Sequence, residues 1–145
     1  ASGDEIYKAE REAEILARLS EDVAPELKIE YTAFVRKMME VARKYEYGLI
    51  YDWNPEVVQP ILAEAEESGN GYVKMELTRP NQLNGASAIL TMIGDYGFHM
   101  KDFKVLEENQ EEARFRLVIR GELQDEAMKK LLYQLSKESK NFHVL

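Results

Sequence analysis

The two halves of this 145-residue chain differ in charge and in hydrophobic pattern, and this difference limits the folds available to it. Residues 1–70 hold 16 of the 27 acidic residues and 8 of the 19 basic ones, whereas residues 71–145 hold 11 of each. The first half carries apolar residues at helical spacing, and the second alternates between strand-like and helical patterns. The sequence therefore predicts a helical domain over 1–70 and a mixed domain over 71–145.

The helical half contains one long amphipathic stretch. Over residues 26–51, apolar side chains recur every three to five residues and form one stripe, composed of Ile29, Phe34, Val35, Met38, Ala42, Tyr45 and Leu49. A shorter helix over 10–19 precedes it, and a third begins at Asn54-Pro55-Glu56 and ends at Ser68-Gly69-Asn70-Gly71, the predicted domain boundary. Because the stripe is too large to remain in water, we expect a homodimer.

The second half alternates strand and helix in the order βαββαβ. The predicted strands cover residues 72–78, 103–107, 113–120 and 142–145, and the predicted helices cover 83–96 and 124–139. Arg79-Pro80-Asn81 is the predicted turn after the first strand, and Gly97 is the predicted C-cap of the first helix. This order is typical of a ferredoxin-like sandwich, in which right-handed crossovers place both helices on one sheet face. The predicted fold class is α+β.

Composition excludes several classes of function. A net charge of −8 argues against nucleic acid as a partner, because binding to phosphates needs clustered Lys and Arg. No apolar run reaches the length of a membrane span, and the first residues lack the pattern of a signal peptide, so we expect a cytoplasmic protein with no membrane partner. The absence of cysteine excludes disulfides and thiolate chemistry.

Metal and cofactor chemistry finds little support in the sequence. The two histidines, His99 and His143, lie in different predicted elements, and neither belongs to a cluster of ligands at metal-binding spacing. The chain also lacks the glycine-rich motifs that hold phosphates and dinucleotides. We expect no metal and no cofactor.

Residues 71–145 resemble an ACT domain, through the strand, the Arg79-Pro80-Asn81 entry and the helix that ends at Gly97. ACT domains commonly bind amino acids beside the turn between the first strand and the first helix. The resemblance implies an effector site composed of Arg79, Pro80, Asn81, Gln82, Leu83, Asn84 and Gly85. A sandwich that only dimerises through its sheet edges is the alternative for this half.

Residues 5–51 resemble the second and third helices of AroQ-class chorismate mutase. The resemblance lies in the stretches Ile6-Tyr7-Lys8-Ala9-Glu10-Arg11-Glu12 and Ala42-Arg43-Lys44-Tyr45-Glu46, which are matched in order and spacing. It implies that Arg11 holds a substrate carboxylate, that Glu12 faces the substrate hydroxyl, and that Glu46 lies at the ether oxygen. Lys8 occupies a site position where the family usually has an acid.

The chemistry of the reaction explains this choice of residues. Chorismate is a dianion that rearranges by a pericyclic route to prephenate, so the protein has only to hold two carboxylates with cations and aim donors at the developing charge. Glu46 can donate only when protonated, which requires burial. In the family a longer first helix supplies further cations, so we expect these 145 residues to be weak or inactive as a mutase.

Two hypotheses therefore follow from the sequence. The first is a chorismate-mutase-related protein of aromatic amino acid biosynthesis with an ACT-like domain that senses an amino acid. The second is a non-catalytic module that binds an amino acid or dimerises.

Overall fold

The computed structural model describes residues 3–63, 65 and 70–145, and the chain divides into two compact units between Trp53 and Asn54. The first unit is helical, and the second contains a four-stranded antiparallel sheet with helices. The α+β class predicted from the sequence is confirmed. Within the described ranges, no helix combines the length and the apolar character that crossing a membrane requires.

The first unit consists of two helices joined by a short connection. Helix α1 spans Ala9–Ser20, a 3-10 helix spans Pro25–Leu27, and helix α2 spans Lys28–Trp53. The stripe predicted for α2 divides in the structure, because Val35 is buried while most of the other large members are exposed. The exposed side chains of the stripe are Ile29, Phe34, Met38 and Tyr45, and Val41 is exposed beside them.

The segment after Trp53 belongs to the sheet-containing unit. A 3-10 helix spans Pro55–Val58 and helix α3 spans Gln59–Ala63. Val58 is buried, and Ile61, Leu62 and Ala65 pack against the core of this unit. The structural division therefore precedes the boundary expected at residue 70, and Ser68 and Gly69 of that run lie outside the described residues.

The remaining elements follow the predicted βαββαβ order. They are β1 Tyr72–Pro80, α4 Gly85–Asp95, β2 His99–Glu108, β3 Glu112–Arg120, α5 Glu126–Glu138 and β4 Lys140–Val144. The strands lie in the order β2-β3-β1-β4, and every neighbouring pair is antiparallel.

The first strand is longer than the sequence predicts. Arg79 and Pro80 were expected in the turn, but they belong to β1 and lie opposite Ala113 and Glu112 of β3. Proline is tolerated at this position because it ends the strand, where one missing donor interrupts little of the ladder. The turn between β1 and α4 therefore begins at Asn81.

The core of the second unit lies on one face of the sheet. Alternate residues of β1 and β3 enter it, because successive side chains of a strand point to opposite faces. These residues are Val73, Met75, Leu77, Ala113, Phe115, Leu117 and Ile119. Ile89, Met92 and Ile93 of α4 and the apolar side of α5 complete the same cluster. Both helices thus cover this face, and the opposite face, here called the outer sheet face, carries Lys74, Glu76, Arg114, Arg116 and Val118.

Gly97 ends α4 in the manner that the sequence predicts. Its φ of 89° lies in the left-handed region. The Phe98 N–H donates to the carbonyl of Ile93 at 3.2 Å, and the Gly97 N–H donates to the carbonyl of Gly94 at 2.9 Å. These two bonds form a Schellman motif.

The two glycines of this helix end should respond in opposite ways to alanine. Gly97→Ala should lower the free energy of unfolding by about 1 kcal/mol, because a Cβ is disfavoured at positive φ. Gly94→Ala should raise it by about 0.5–1 kcal/mol, because Gly94 lies within the helix and no atom lies within 4 Å of its added Cβ. Urea unfolding of both variants measures the difference, and equal effects would contradict this account of the cap.

Candidate functional site

The helical unit brings Glu12 together with Arg43. Arg43 Nη1 donates to Glu12 Oε1 at 2.5 Å, and the guanidinium lies over the ring of Tyr7 with 4.6 Å to its centroid. Both side chains of the ion pair are largely buried, 11% exposed for Arg43 and 21% for Glu12. Glu12, the carboxylate that the chorismate-mutase resemblance places at the substrate hydroxyl, is therefore already bound to a cation.

The other mutase-like positions lie at the surface. Lys8, Arg11 and Glu46 are exposed, and Arg11 Nη2 donates to the carbonyl of Glu5 at 3.5 Å. Among the residues that the structure describes, Lys8 and Glu46 make no ion pair. Glu46 thus lacks the burial that would favour a neutral, donating carboxyl.

The turn after β1 is tied to the β2–β3 hairpin. The Asn81 N–H donates to the carbonyl of Glu111 at 2.9 Å, and Asn81 Nδ2 donates to the carbonyl of Asn109 at 2.6 Å. Asn109 Oδ1 in turn accepts from the N–H groups of Glu111 and Glu112. The amide donors of Asn81, which the sequence suggests for a ligand, instead fix the position of the turn.

The rest of the predicted effector segment forms the start of α4. The Gly85 N–H donates to the carbonyl of Gln82 at 3.0 Å, and Asn84 precedes the helix without a capping bond from its side chain. Leu83 is fully exposed at the tip of the turn. An added Cβ at Gly85 would lie 3.5 Å from the carbonyl of Pro80, so the helix starts close to the end of β1.

Arg79 is the buried member of the predicted effector site. It is only 8% exposed, and its Nη1 has no hydrogen-bond partner in the described part of the chain. Its nearest anion is the buried carboxylate of Glu138 at the end of α5, with 4.0 Å between Nη1 and Oε1. That distance exceeds a hydrogen bond, so a buried guanidinium and a buried carboxylate face each other without direct contact.

A chain of hydrogen bonds continues from Glu138 along α5. Gln134 Nε2 donates to Glu138 Oε2 at 2.9 Å, and the Tyr96 hydroxyl donates to Gln134 Oε1 at 2.7 Å. Gln134 is completely buried. This network connects the C-terminal end of α5 to the C-terminal end of α4 through polar side chains.

Detectable similarity to known proteins lies in structure rather than in sequence. No protein-family model and no curated protein matches the chain. It is similar to a solved structure described as "GqqA- a novel type of quorum quenching acylases", with a TM-score of 0.48 and 20% sequence identity. The match covers 57% of this chain and 44% of that chain, so this chain spans less than half of that protein's length. At this TM-score, the likeness carries no conclusion about the site.

The sequence did not single out Arg43, Gln134 or Glu138. Arg43 is largely buried by its pairing with Glu12 and Tyr7 within the helical unit. Gln134 and Glu138 are buried because α5 contacts both the core of the sheet unit and the segment 55–63. The one sequence signal for this contact is the spacing of Gln134 and Glu138, because residues four apart on a helix lie side by side.

No group of three or more His, Asp or Glu side chains lies close enough together in the described part of the chain to hold a metal ion.

The outer sheet face carries a second charged cluster around Glu76. Arg116 donates from Nε and Nη2 to Glu76 Oε2 at 3.0 and 2.7 Å, and Arg114 Nη1 donates to Oε1 at 2.9 Å. The hydrogen bonds from Arg116 hold the pKa of Glu76 below its ordinary value, with the charges of Arg116, Arg114 and His143 acting in the same direction and burial acting against them.

Glu76 should make the protein sensitive to acid. Because its pKa is lowered in the folded state, its stabilisation is complete above the unfolded value, near 4.5, and is lost as the pH falls through the folded value. Glu76→Gln should lower the free energy of unfolding at pH 7. It should also remove the part of that free energy that the parent loses on acidification, so the two proteins should become equally stable at low pH. Urea unfolding between pH 7 and pH 3 measures this, with Glu108→Gln, at an exposed position outside the cluster, as the matched control. A constant difference at every pH would contradict the assignment.

Proposed function

We propose that this protein is a chorismate-mutase-related regulator of aromatic amino acid biosynthesis whose ferredoxin-like, ACT-type domain senses an amino acid. The observation that carries the proposal is Arg79, a buried guanidinium with an unsatisfied Nη1 directly before the turn to α4. Its position falls within the segment that the ACT resemblance selects. The βαββαβ order and the antiparallel strand order support the same assignment.

The charges around Arg79 suit a free amino acid. A guanidinium binds a carboxylate through two parallel hydrogen bonds, so the α-carboxylate is the natural partner of Arg79. The Glu138 carboxylate lies 4.0 Å away, which suits an α-ammonium group. A zwitterion would therefore place each of its charges beside a buried group of opposite sign. The first amides of α4, an eleven-residue helix, add a favourable dipole for the carboxylate.

Arg79→Gln should weaken amino-acid binding by tenfold to a hundredfold, because it removes charge-assisted hydrogen bonds to the carboxylate. Calorimetry with a panel of aromatic and aliphatic amino acids measures the affinity, and circular dichroism verifies the fold of the variant. Arg18→Gln on α1 is the matched control and should leave binding unchanged. No heat and no thermal shift with any amino acid would remove the sensing function.

Catalysis by the helical unit is the second candidate, and we expect it to be weak. Of the four mutase-like positions, Glu12 is already bound to Arg43, and Lys8, Arg11 and Glu46 are exposed at the surface. A carboxylate at the exposed Glu46 position would repel the charge that develops on the ether oxygen instead of donating a hydrogen bond to it. This constellation favours a regulatory rather than a catalytic role.

We predict little or no chorismate consumption at neutral pH. Each missing carboxylate clamp typically costs about 1.5–3 kcal/mol, or tenfold to a hundredfold in rate. Glu46→Gln should raise any residual activity, because an amide can donate a hydrogen bond that a carboxylate cannot. The assay follows chorismate absorbance with Arg11→Ala as the comparison. Robust turnover at pH 7 that Arg11→Ala leaves unchanged would show that the mutase alignment is wrong.

We propose that the protein forms a homodimer through the exposed apolar stripe of α2. Phe34, Met38, Val41 and Tyr45 are separated by three or four residues and are 51–67% exposed, so they lie along one side of the helix. The buried Tyr47, Ile50 and Tyr51 lie on the opposite side of the same helix. A second copy of α2 offers an identical apolar surface, which a two-fold interface can pair with itself.

Phe34→Glu should convert the dimer to a monomer, because it places a charge in the apolar interface. Sedimentation velocity at high micromolar concentration measures the mass. Leu90→Glu on α4, another exposed apolar residue, is the matched control and should leave the dimer intact. A parent protein that is monomeric at this concentration would refute the proposal.

A further inference from the structure

A second buried polar atom without a partner lies close to Arg79 in the fold. Ser139 directly follows α5, and its Oγ is buried with no hydrogen-bond partner in the described part of the chain. Ser139 precedes Lys140, whose Cα pairs with that of Thr78, the residue before Arg79. The register therefore places Arg79 and Ser139 at neighbouring positions at the same end of the β1–β4 pair.

Both unsatisfied atoms can donate hydrogen bonds. The guanidinium of Arg79 has donors only, and the hydroxyl of Ser139 has one donor besides its acceptor lone pairs. Only 10% of the Arg79 side chain is exposed, so water reaches it poorly. Buried polar groups normally have a partner, and two donors at neighbouring positions suit the two oxygens of one carboxylate.

Hydrogen bonds within the second unit fix the orientation of the Glu138 carboxylate. Gln134 Nε2 donates to Glu138 Oε2, and Gln134 Oε1 accepts from the Tyr96 hydroxyl. Because the Gln134 side chain is completely buried and bonded at both ends, it cannot turn without losing one of these bonds. Oε2 of Glu138 is thereby held, and Oε1 lies 4.0 Å from Arg79 Nη1.

This arrangement treats the two ends of an α-amino acid differently. Its carboxylate has donors in Arg79 and Ser139, and its ammonium group has the carboxylate of Glu138 beside it. A carboxylic acid of the same skeleton without the amino group would bring a second carboxylate near Glu138 with no cation between them. The fixed orientation of Glu138 should therefore decide which of the two ligands binds.

We infer that Ser139 is a further carboxylate-binding residue of the amino-acid site and that Gln134 is a positioning residue for Glu138. Gln134 holds Glu138 so that the site selects ligands with an α-ammonium group, and Tyr96 acts through Gln134. The inference rests on the amino-acid site proposed above. It adds to that site the discrimination between an amino acid and its desamino counterpart.

Calorimetric titration of the full chain with two ligand pairs tests the selectivity. The pairs are L-phenylalanine with 3-phenylpropanoate and L-leucine with 4-methylpentanoate, and the members of each pair differ only in the α-amino group. At least one amino acid should bind about tenfold or more tightly than its counterpart. Gln134→Met should lower this ratio by about fivefold or more, whereas Gln124→Met, at an exposed position, is the matched control and should not change it.

Tyr96→Phe provides a second test of the positioning role, because it removes only the hydroxyl that bonds to Gln134. It should lower the same affinity ratio, and it decides the point if circular dichroism shows that Gln134→Met does not fold. A residue that only stabilised the fold would weaken both members of a pair alike and leave the ratio unchanged.

Ser139→Ala should weaken both members of a pair by the same factor, about threefold to tenfold, because the lost donor serves the carboxylate that both contain. Ser136→Ala is the matched control and should change neither affinity, since the Ser136 hydroxyl donates to the carbonyl of Tyr133.

The inference is overturned by equal affinities within each pair, by a ratio that the folded Gln134 or Tyr96 variant leaves unchanged, or by Ser139→Ala behaving like Ser136→Ala. Absence of binding by both amino acids also overturns it. The proposed sensing function survives each of these results if any amino acid of the panel above binds, so the two failures can be told apart.

Discussion

The position of β1 between β3 and β4 is the constraint on which the second unit depends. Because β1 is paired on both sides, its side chains must alternate between the helix-covered face and the outer sheet face. Met75 and Leu77 thereby enter the core, and Glu76 is directed to the two arginines of β3. The same strand carries Arg79 near its end, so the alternating segment also supplies the buried guanidinium of the candidate amino-acid site.

The buried charges of this unit are supported in two different ways. Glu76 receives three hydrogen bonds from Arg114 and Arg116, which offset the cost of removing its charge from water. Arg79 and Glu138 lie 4.0 Å apart, and Arg79 keeps an unsatisfied nitrogen. A satisfied cluster stabilises the fold by itself, whereas an incomplete one is completed when a suitable group binds. This difference favours the Arg79 region over the Glu76 cluster as a site for a zwitterion.

The helical unit pairs two of its largely buried charges within the protein. Glu12 and Arg43 join α1 to α2, and Tyr7 covers the guanidinium. A carboxylate and an arginine that neutralise each other leave less charge for a dianionic substrate. The apolar stripe centred on Met38 remains exposed on α2, and a surface of this kind is more typical of an interface than of a reaction centre.

The α+β class, the order of the strands and helices, and the end of α4 at Gly97 could all be predicted from the sequence alone. These features depend on local periodicity and on backbone preferences, which neighbouring residues encode. Which polar residues come together depends on the tertiary fold, since Glu12 and Arg43 are 31 positions apart and Arg79 of β1 faces Glu138 of α5 from a distant part of the chain. The tertiary fold also decided that the segment 54–63 belongs to the sheet unit, because its apolar side chains find their partners in that core. Long-range packing, which no local pattern specifies, therefore placed the candidate sites.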